Sequence, residues 1–111
     1  MLAGVELSAT IFTPQTPTDG KYDGVPLRGV RLRVTDRRRY DPTATAVALL
    51  TALHLAQRDS LRFNAPRFDG LAAGPALRRA ILRGTTAAAI VRAWQPGLER
   101  FRRMRAQYLL Y

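Results

Sequence analysis

Cysteine is absent, and with it go disulfides, thiol nucleophiles and thiolate metal sites. Histidine occurs once, at His54, in an apolar stretch with no acidic residue close by in sequence. A histidine pair for a metal, or an imidazole base oriented by a neighbouring acid, is therefore not expected. Acidic residues number only 8 against 18 basic ones, a formal charge of +10. Lysine is nearly missing from that basic set, with Lys21 its one member. Long apolar runs are missing as well: residues 44–56 are interrupted by Thr45, Thr51 and His54 and fall short of the ~20 residues a bilayer span requires. The opening Met1-Leu2-Ala3-Gly4-Val5-Glu6 reaches an acid before any apolar stretch forms, unlike a secretory signal. No membrane insertion is expected, and the lack of cysteine fits either side of a membrane.

What is present is enough for a core. The chain has 111 residues, 47% of them hydrophobic, which suits a single domain and leaves no room for a large catalytic fold with its own substrate lobe. Val5, Leu7, Ala9 and Ile11 alternate with Glu6, Ser8, Thr10 and Phe12, the period of a strand with one covered face. Residues 13–26 contain Pro14, Pro17, Pro26, Gly20 and Gly24 and read as an irregular loop. A loop of that length in a small domain is often a binding or docking element. Val30, Leu32 and Val34 alternate with Arg31 and Arg33, predicting a second strand with a basic outer face that ends at Asp36.

Asp41-Pro42 reads as an N-cap followed by a first helical residue, opening a helix to about Gln57 whose stripe would be Ala46, Leu49, Leu50, Leu53 and Ala56. Residues 61–63 read as a short strand or an extended link ended by Pro66. Gly74-Pro75 starts a short helix stopped by Gly84, and Thr85 or Thr86 caps a last helix lined by Ile90, Val91, Trp94, Leu98, Phe101 and Met104. Pro96 is expected to kink or split that helix near Gln95. The apolar end, residues 108–111, is expected to dock on the core. The fold class is α+β: a small, mainly antiparallel sheet with about three helices packed on one face.

The chemistry available to this chain is thin. Glycoside cleavage needs two carboxyl groups about 5 to 10 Å apart, one of them with a raised pKa. Glu6 and Glu99 read instead as surface ion-pair partners, and Asp36 and Asp41 as turn or cap residues. His54 reads as a surface residue at a helix boundary. No catalytic residue, metal site or cofactor is expected. Two arginine groups, Arg28 to Arg39 and Arg100 to Arg105, could meet phosphates, which keeps a small basic nucleic-acid-binding module as the alternative. No exposed aromatic pair stands ready to stack on bases, so nucleic acid ranks low as a partner.

Several short motifs in fixed order point further. Ile11-Phe12-Thr13-Pro14, Lys21-Tyr22-Asp23-Gly24, residues 29–36 and Pro42 are followed by Phe68-Asp69-Gly70-Leu71, Leu77-Arg78, Gly84, Ile90, Trp94, Phe101, Arg105 and the terminal Tyr108-Leu109-Leu110-Tyr111. This series resembles, over nearly the whole chain, the C-terminal domain of the exo-acting β-N-acetylmuramidases of peptidoglycan turnover. The resemblance implies residues 1–111 as a single accessory domain, with the catalytic residues on a larger Rossmann-like N-terminal domain absent from this sequence. It implies that domain and peptidoglycan fragments as partners, and work outside the cytoplasm for full-length relatives. Lys21 and Tyr22 become candidates for facing the sugar or the other domain, since Tyr stacks on a pyranose ring and Lys pairs with the lactyl carboxylate of muramic acid. Asp36 joins them as a candidate at the interface or substrate. Two departures stand out: Pro26-Leu27 replaces a cysteine-containing turn common in relatives, and Pro96 enters the last helix.

Overall fold

The computed structural model describes residues 2–110. Two strands precede four helices: β1 (Val5–Phe12), β2 (Leu27–Val34), α1 (Pro42–Ala56), α2 (Ala65–Leu71), α3 (Ala76–Leu82) and α4 (Ala87–Ala106). The class is α+β, with one more helix than the periodicity predicts and no strand at residues 61–63. The chain divides into two compact units, Met1–Asp41 and Pro42–Tyr111.

The first unit is an antiparallel ribbon running in register from Val5 opposite Val34 to Phe12 opposite Leu27. Strand pleating puts Val5, Leu7, Ala9 and Ile11 on one face with Val34, Leu32, Val30 and Arg28. The other face pairs Glu6 with Arg33 and Ser8 with Arg31. The Phe12 ring covers Gly29, where a Cβ would come within 2.6 Å of it. At the open end of the ribbon, Gly4 lies at φ +72 beneath the turn formed by residues 36–40, and its carbonyl accepts the amides of Thr35 at 2.9 Å and Asp36 at 3.2 Å.

The second unit is helical. Val47, Ile81 and Ile90 are buried together, with Leu50, Phe63, Phe68, Leu77, Ala80, Ala87 and Trp94 packed around them. Phe63 and Phe68 meet edge to face, with ring centroids 4.9 Å apart. Asn64 caps α2 by accepting the Arg67 amide at 3.3 Å. Pro66 therefore sits in the first turn of a helix, where its missing amide costs nothing, instead of terminating a strand. Arg78 of α3 clamps Asp69 of α2 with two bonds, 2.9 Å from Nε and 2.8 Å from Nη2. α3 ends as expected at Gly84, φ +80, with the Gly84 amide bonding Ile81 O and the Thr85 amide bonding Ala80 O, each at 3.0 Å. Such paired bonds require a left-handed residue that glycine adopts without strain. Thr86 is the cap of α4, its hydroxyl accepting the Ala89 amide at 3.2 Å.

Three sequence expectations need correction. The buried side of α1 carries Thr45 and Val47, with Leu50, Thr51 and His54 half-buried, while Ala46, Leu53 and Ala56 are exposed. That helix is apolar nearly all round, so periodicity has no face to select. Pro96 does not split α4, which remains one element across it. The surrounding residues 95–97 are exposed, so solvent reaches the carbonyl that Pro96 cannot serve, and Gln95 donates its side-chain amide to Val91 O at 3.2 Å. The C-terminal Tyr108, Leu109 and Leu110 do not dock: they are exposed, because α4 carries them past the end of the core. Tyr111 lies outside the described residues.

Candidate functional site

The loop between the strands is structured by its own side chains. Asp23 Oδ1 accepts the Thr16 amide at 2.8 Å and Asp19 Oδ1 accepts the Lys21 amide at 3.1 Å. Backbone bonds from Gly24 to Pro14 O at 2.9 Å and from Val25 to Tyr22 O at 3.0 Å close the loop on itself. At its tip Lys21 and Tyr22 are exposed, and Tyr22 takes φ 57, a left-handed conformation that costs a side chain energy. Tyr22 is 63% exposed and so does not anchor the loop by burial. The exposed ring is adjacent in sequence to the chain's one lysine.

Asp36 stands elsewhere. Its Oδ1 accepts the Arg38 amide at 2.9 Å and its carbonyl accepts the amides of Arg39 at 3.2 Å and Tyr40 at 3.0 Å. An eight-residue ladder separates it from the loop, roughly 24 Å at the rise of a strand. Lys21 and Tyr22 therefore come together, and Asp36 does not join them.

Glu6, Asp69 and Glu99 are engaged by arginines. Glu6 pairs with Arg33 in the open, and Glu99 lies 3.7 Å from Arg102 and 4.0 Å from Arg103. Asp69 is held below its usual range chiefly by the hydrogen bonds from Arg78, which outweigh the opposing effect of desolvation, with the charges of Arg78 and Arg79 adding lesser contributions. That shift runs opposite to what a general acid needs. Among the described residues, no cluster of three or more His, Asp or Glu side chains is placed to hold a metal ion.

Composition gave no sign of the surroundings of His54. It sits near the end of α1 as expected for a boundary residue, but half-buried, with Nδ1 buried and lacking a hydrogen-bond partner. The ring lines a recess of about 160 Å³ with Thr51, Leu55, Ile81 and residues 84–87. The arginines of the ribbon and its turn, Arg28, Arg31, Arg33 and Arg37 to Arg39, are all exposed.

The largest unexplained feature is apolar. On the apolar face of the ribbon Leu7 is 42% exposed, Ile11 69%, Val30 55%, Leu32 38% and Val34 40%. Two-stranded ribbons are marginal on their own, and a contiguous apolar face of this kind marks an interaction surface. The fold is a small α+β arrangement with an ordered loop joining the two strands of a ribbon whose apolar face is exposed. The chain belongs to the family described as exo-beta-N-acetylmuramidase NamZ, C-terminal, which matches residues 1–111. It is 32% identical over 111 residues to the peptidoglycan beta-N-acetylmuramidase NamZ of Bacillus subtilis (strain 168), an alignment covering 99% of this chain and 26% of that protein. The chain thus spans about a quarter of the relative it matches. No solved structure matches it.

Proposed function

We propose that this chain is the accessory C-terminal domain of a peptidoglycan exo-β-N-acetylmuramidase. It packs on the catalytic, Rossmann-like domain and forms one wall of the substrate cleft, and it carries no catalytic residue itself. The observation that supports this most is the exposed apolar face of the ribbon, a surface that needs a cover, in a chain that matches only the last part of a larger hydrolase. In this reading Leu7, Val30, Leu32 and Val34 meet the catalytic domain. The 13–26 loop then reaches the cleft, where Tyr22 stacks on a pyranose ring and Lys21 pairs with the lactyl carboxylate of an N-acetylmuramic acid at the non-reducing end. Asp36 contributes from the other end of the ribbon by shaping the 36–40 turn, away from the sugar.

A chimera tests this directly: the Bacillus subtilis relative with its C-terminal quarter replaced by this chain. It is expected to release muramic acid from a chromogenic glycoside, and Lys21→Ala with Tyr22→Ala is expected to raise KM roughly tenfold, the value of one charged and one stacking contact. An active chimera whose KM and kcat ignore both changes would remove the loop from the cleft.

A further inference from the structure

The second half of α4 leaves the core with its apolar side uncovered. Ile90 is buried and Trp94 half-buried, but further along the same side Leu98 is 41% exposed, Phe101 52% and Met104 51%. Past the helix end, Tyr108 and Leu110 stand almost fully in solvent. At 100° per residue, Leu98 and Phe101 continue the line of Ile90 and Trp94, Arg105 stands on that line, and Arg100 and Arg102 fall on its two borders. Glu99 is the single acid between Arg92 and Leu110, and it is already engaged by Arg102 and Arg103. An apolar strip with cationic margins on both sides is therefore exposed.

We propose that the segment from Leu98 to Leu110 lies on the surface of an anionic lipid bilayer, with Leu98, Phe101 and Met104 in the acyl boundary and Arg100, Arg102 and Arg105 on lipid phosphates. Charge selects this occupant. A second copy would bring two arginine-bordered strips together and repel, whereas an anionic bilayer offers an apolar layer directly beneath a dense sheet of phosphates. Arginine stems bury along such a boundary while their heads stay with the phosphates. Among the described residues no helix is long and apolar enough to cross a membrane, so the segment lies in the plane of the interface. The strip belongs to the helical unit and does not depend on the muramidase reading.

The test is co-sedimentation of the purified chain with vesicles of phosphatidylglycerol and phosphatidylcholine, against phosphatidylcholine alone. Binding is expected on the anionic vesicles, weakening with salt, and Leu98→Ser with Phe101→Ser is expected to lower it roughly tenfold or more while helix content by circular dichroism is unchanged. Arg100→Gln with Arg102→Gln is expected to flatten the salt dependence. Leu7→Ser with Leu32→Ser, on the ribbon, is expected to leave binding intact. The proposal is overturned by absence of binding to anionic vesicles, by binding indifferent to the two serines, by loss of binding in the ribbon variant, or by a dimer that the α4 serines disperse.

Discussion

Replacing Gly4 by alanine should loosen the whole turn that closes the ribbon. A Cβ at this position would lie 2.5 Å from Asp36 O, 2.7 Å from Tyr40 N and 3.0 Å from the Arg39 carbonyl carbon. All three are backbone atoms, so no flexible side chain can swing aside. The left-handed φ of +72 adds about 1 kcal/mol for any L side chain. Moving the turn away weakens the two bonds that Thr35 and Asp36 donate to Gly4 O, each worth about 1 kcal/mol. The sum is about 3 kcal/mol, on the order of 100-fold in the opening equilibrium. Gly20 is the matched control: its φ is +68, yet a Cβ there meets nothing within 4 Å, so Gly20→Ala should cost only about 1 kcal/mol, or about fivefold. Hydrogen exchange of the Thr35 amide by NMR reads both. If the two alanines lower its protection equally, close packing of the turn on Gly4 does not hold the ribbon end.

Other consequences follow from the helical unit and the exposed surfaces. Ile81 is 1% exposed and Leu71 87%, so Ile81→Ala should cost about 3 kcal/mol and Leu71→Ala less than about 0.5 in urea unfolding; equal losses would mean that the core is misplaced. Asp69 has its pKa lowered in the fold from the ordinary 3.8, so its contribution is present above that value and is lost as pH falls through the depressed one. Asp69→Asn should accordingly flatten the decline in the urea midpoint below about pH 4, and an unchanged decline would count against the Arg78 clamp. On the ribbon, Leu7→Ser with Leu32→Ser should make the isolated chain more soluble and the chimeric hydrolase less active. Activity undiminished in that variant would mean that the apolar face is not the docking face.

Local signals in this sequence carried far where one residue type has one physical job. Asp41-Pro42, Thr86 and Gly84 mark helix ends through a missing amide, a hydroxyl acceptor and a free left-handed φ, and all three stand where those constraints put them. The alternation in both strands marked which residues share a face of the ribbon, but the apolar face it predicts to be covered is exposed beyond Val5. Legibility ended where one residue admits two jobs. Pro66 fits equally the end of a strand and the start of a helix, and the deciding Asn64 cap is a single bond. α1 shows no polar side to orient it, so Val47 could not be distinguished from Leu53. Apolar residues at the end of α4 and in the tail signalled burial, but this chain's own core does not cover them. The loop that carries Lys21 and Tyr22 was legible from its prolines and glycines, while the left-handed backbone at Tyr22 had no mark in the sequence.

Muramic acid release by the purified 111-residue chain, measured on a chromogenic muramoyl glycoside beside the chimera, bears most directly on an accessory role. The isolated chain is expected to stay at the rate of buffer while the chimera turns over. Enzyme-like release by the isolated chain, free of contaminating hydrolase, would contradict that role outright.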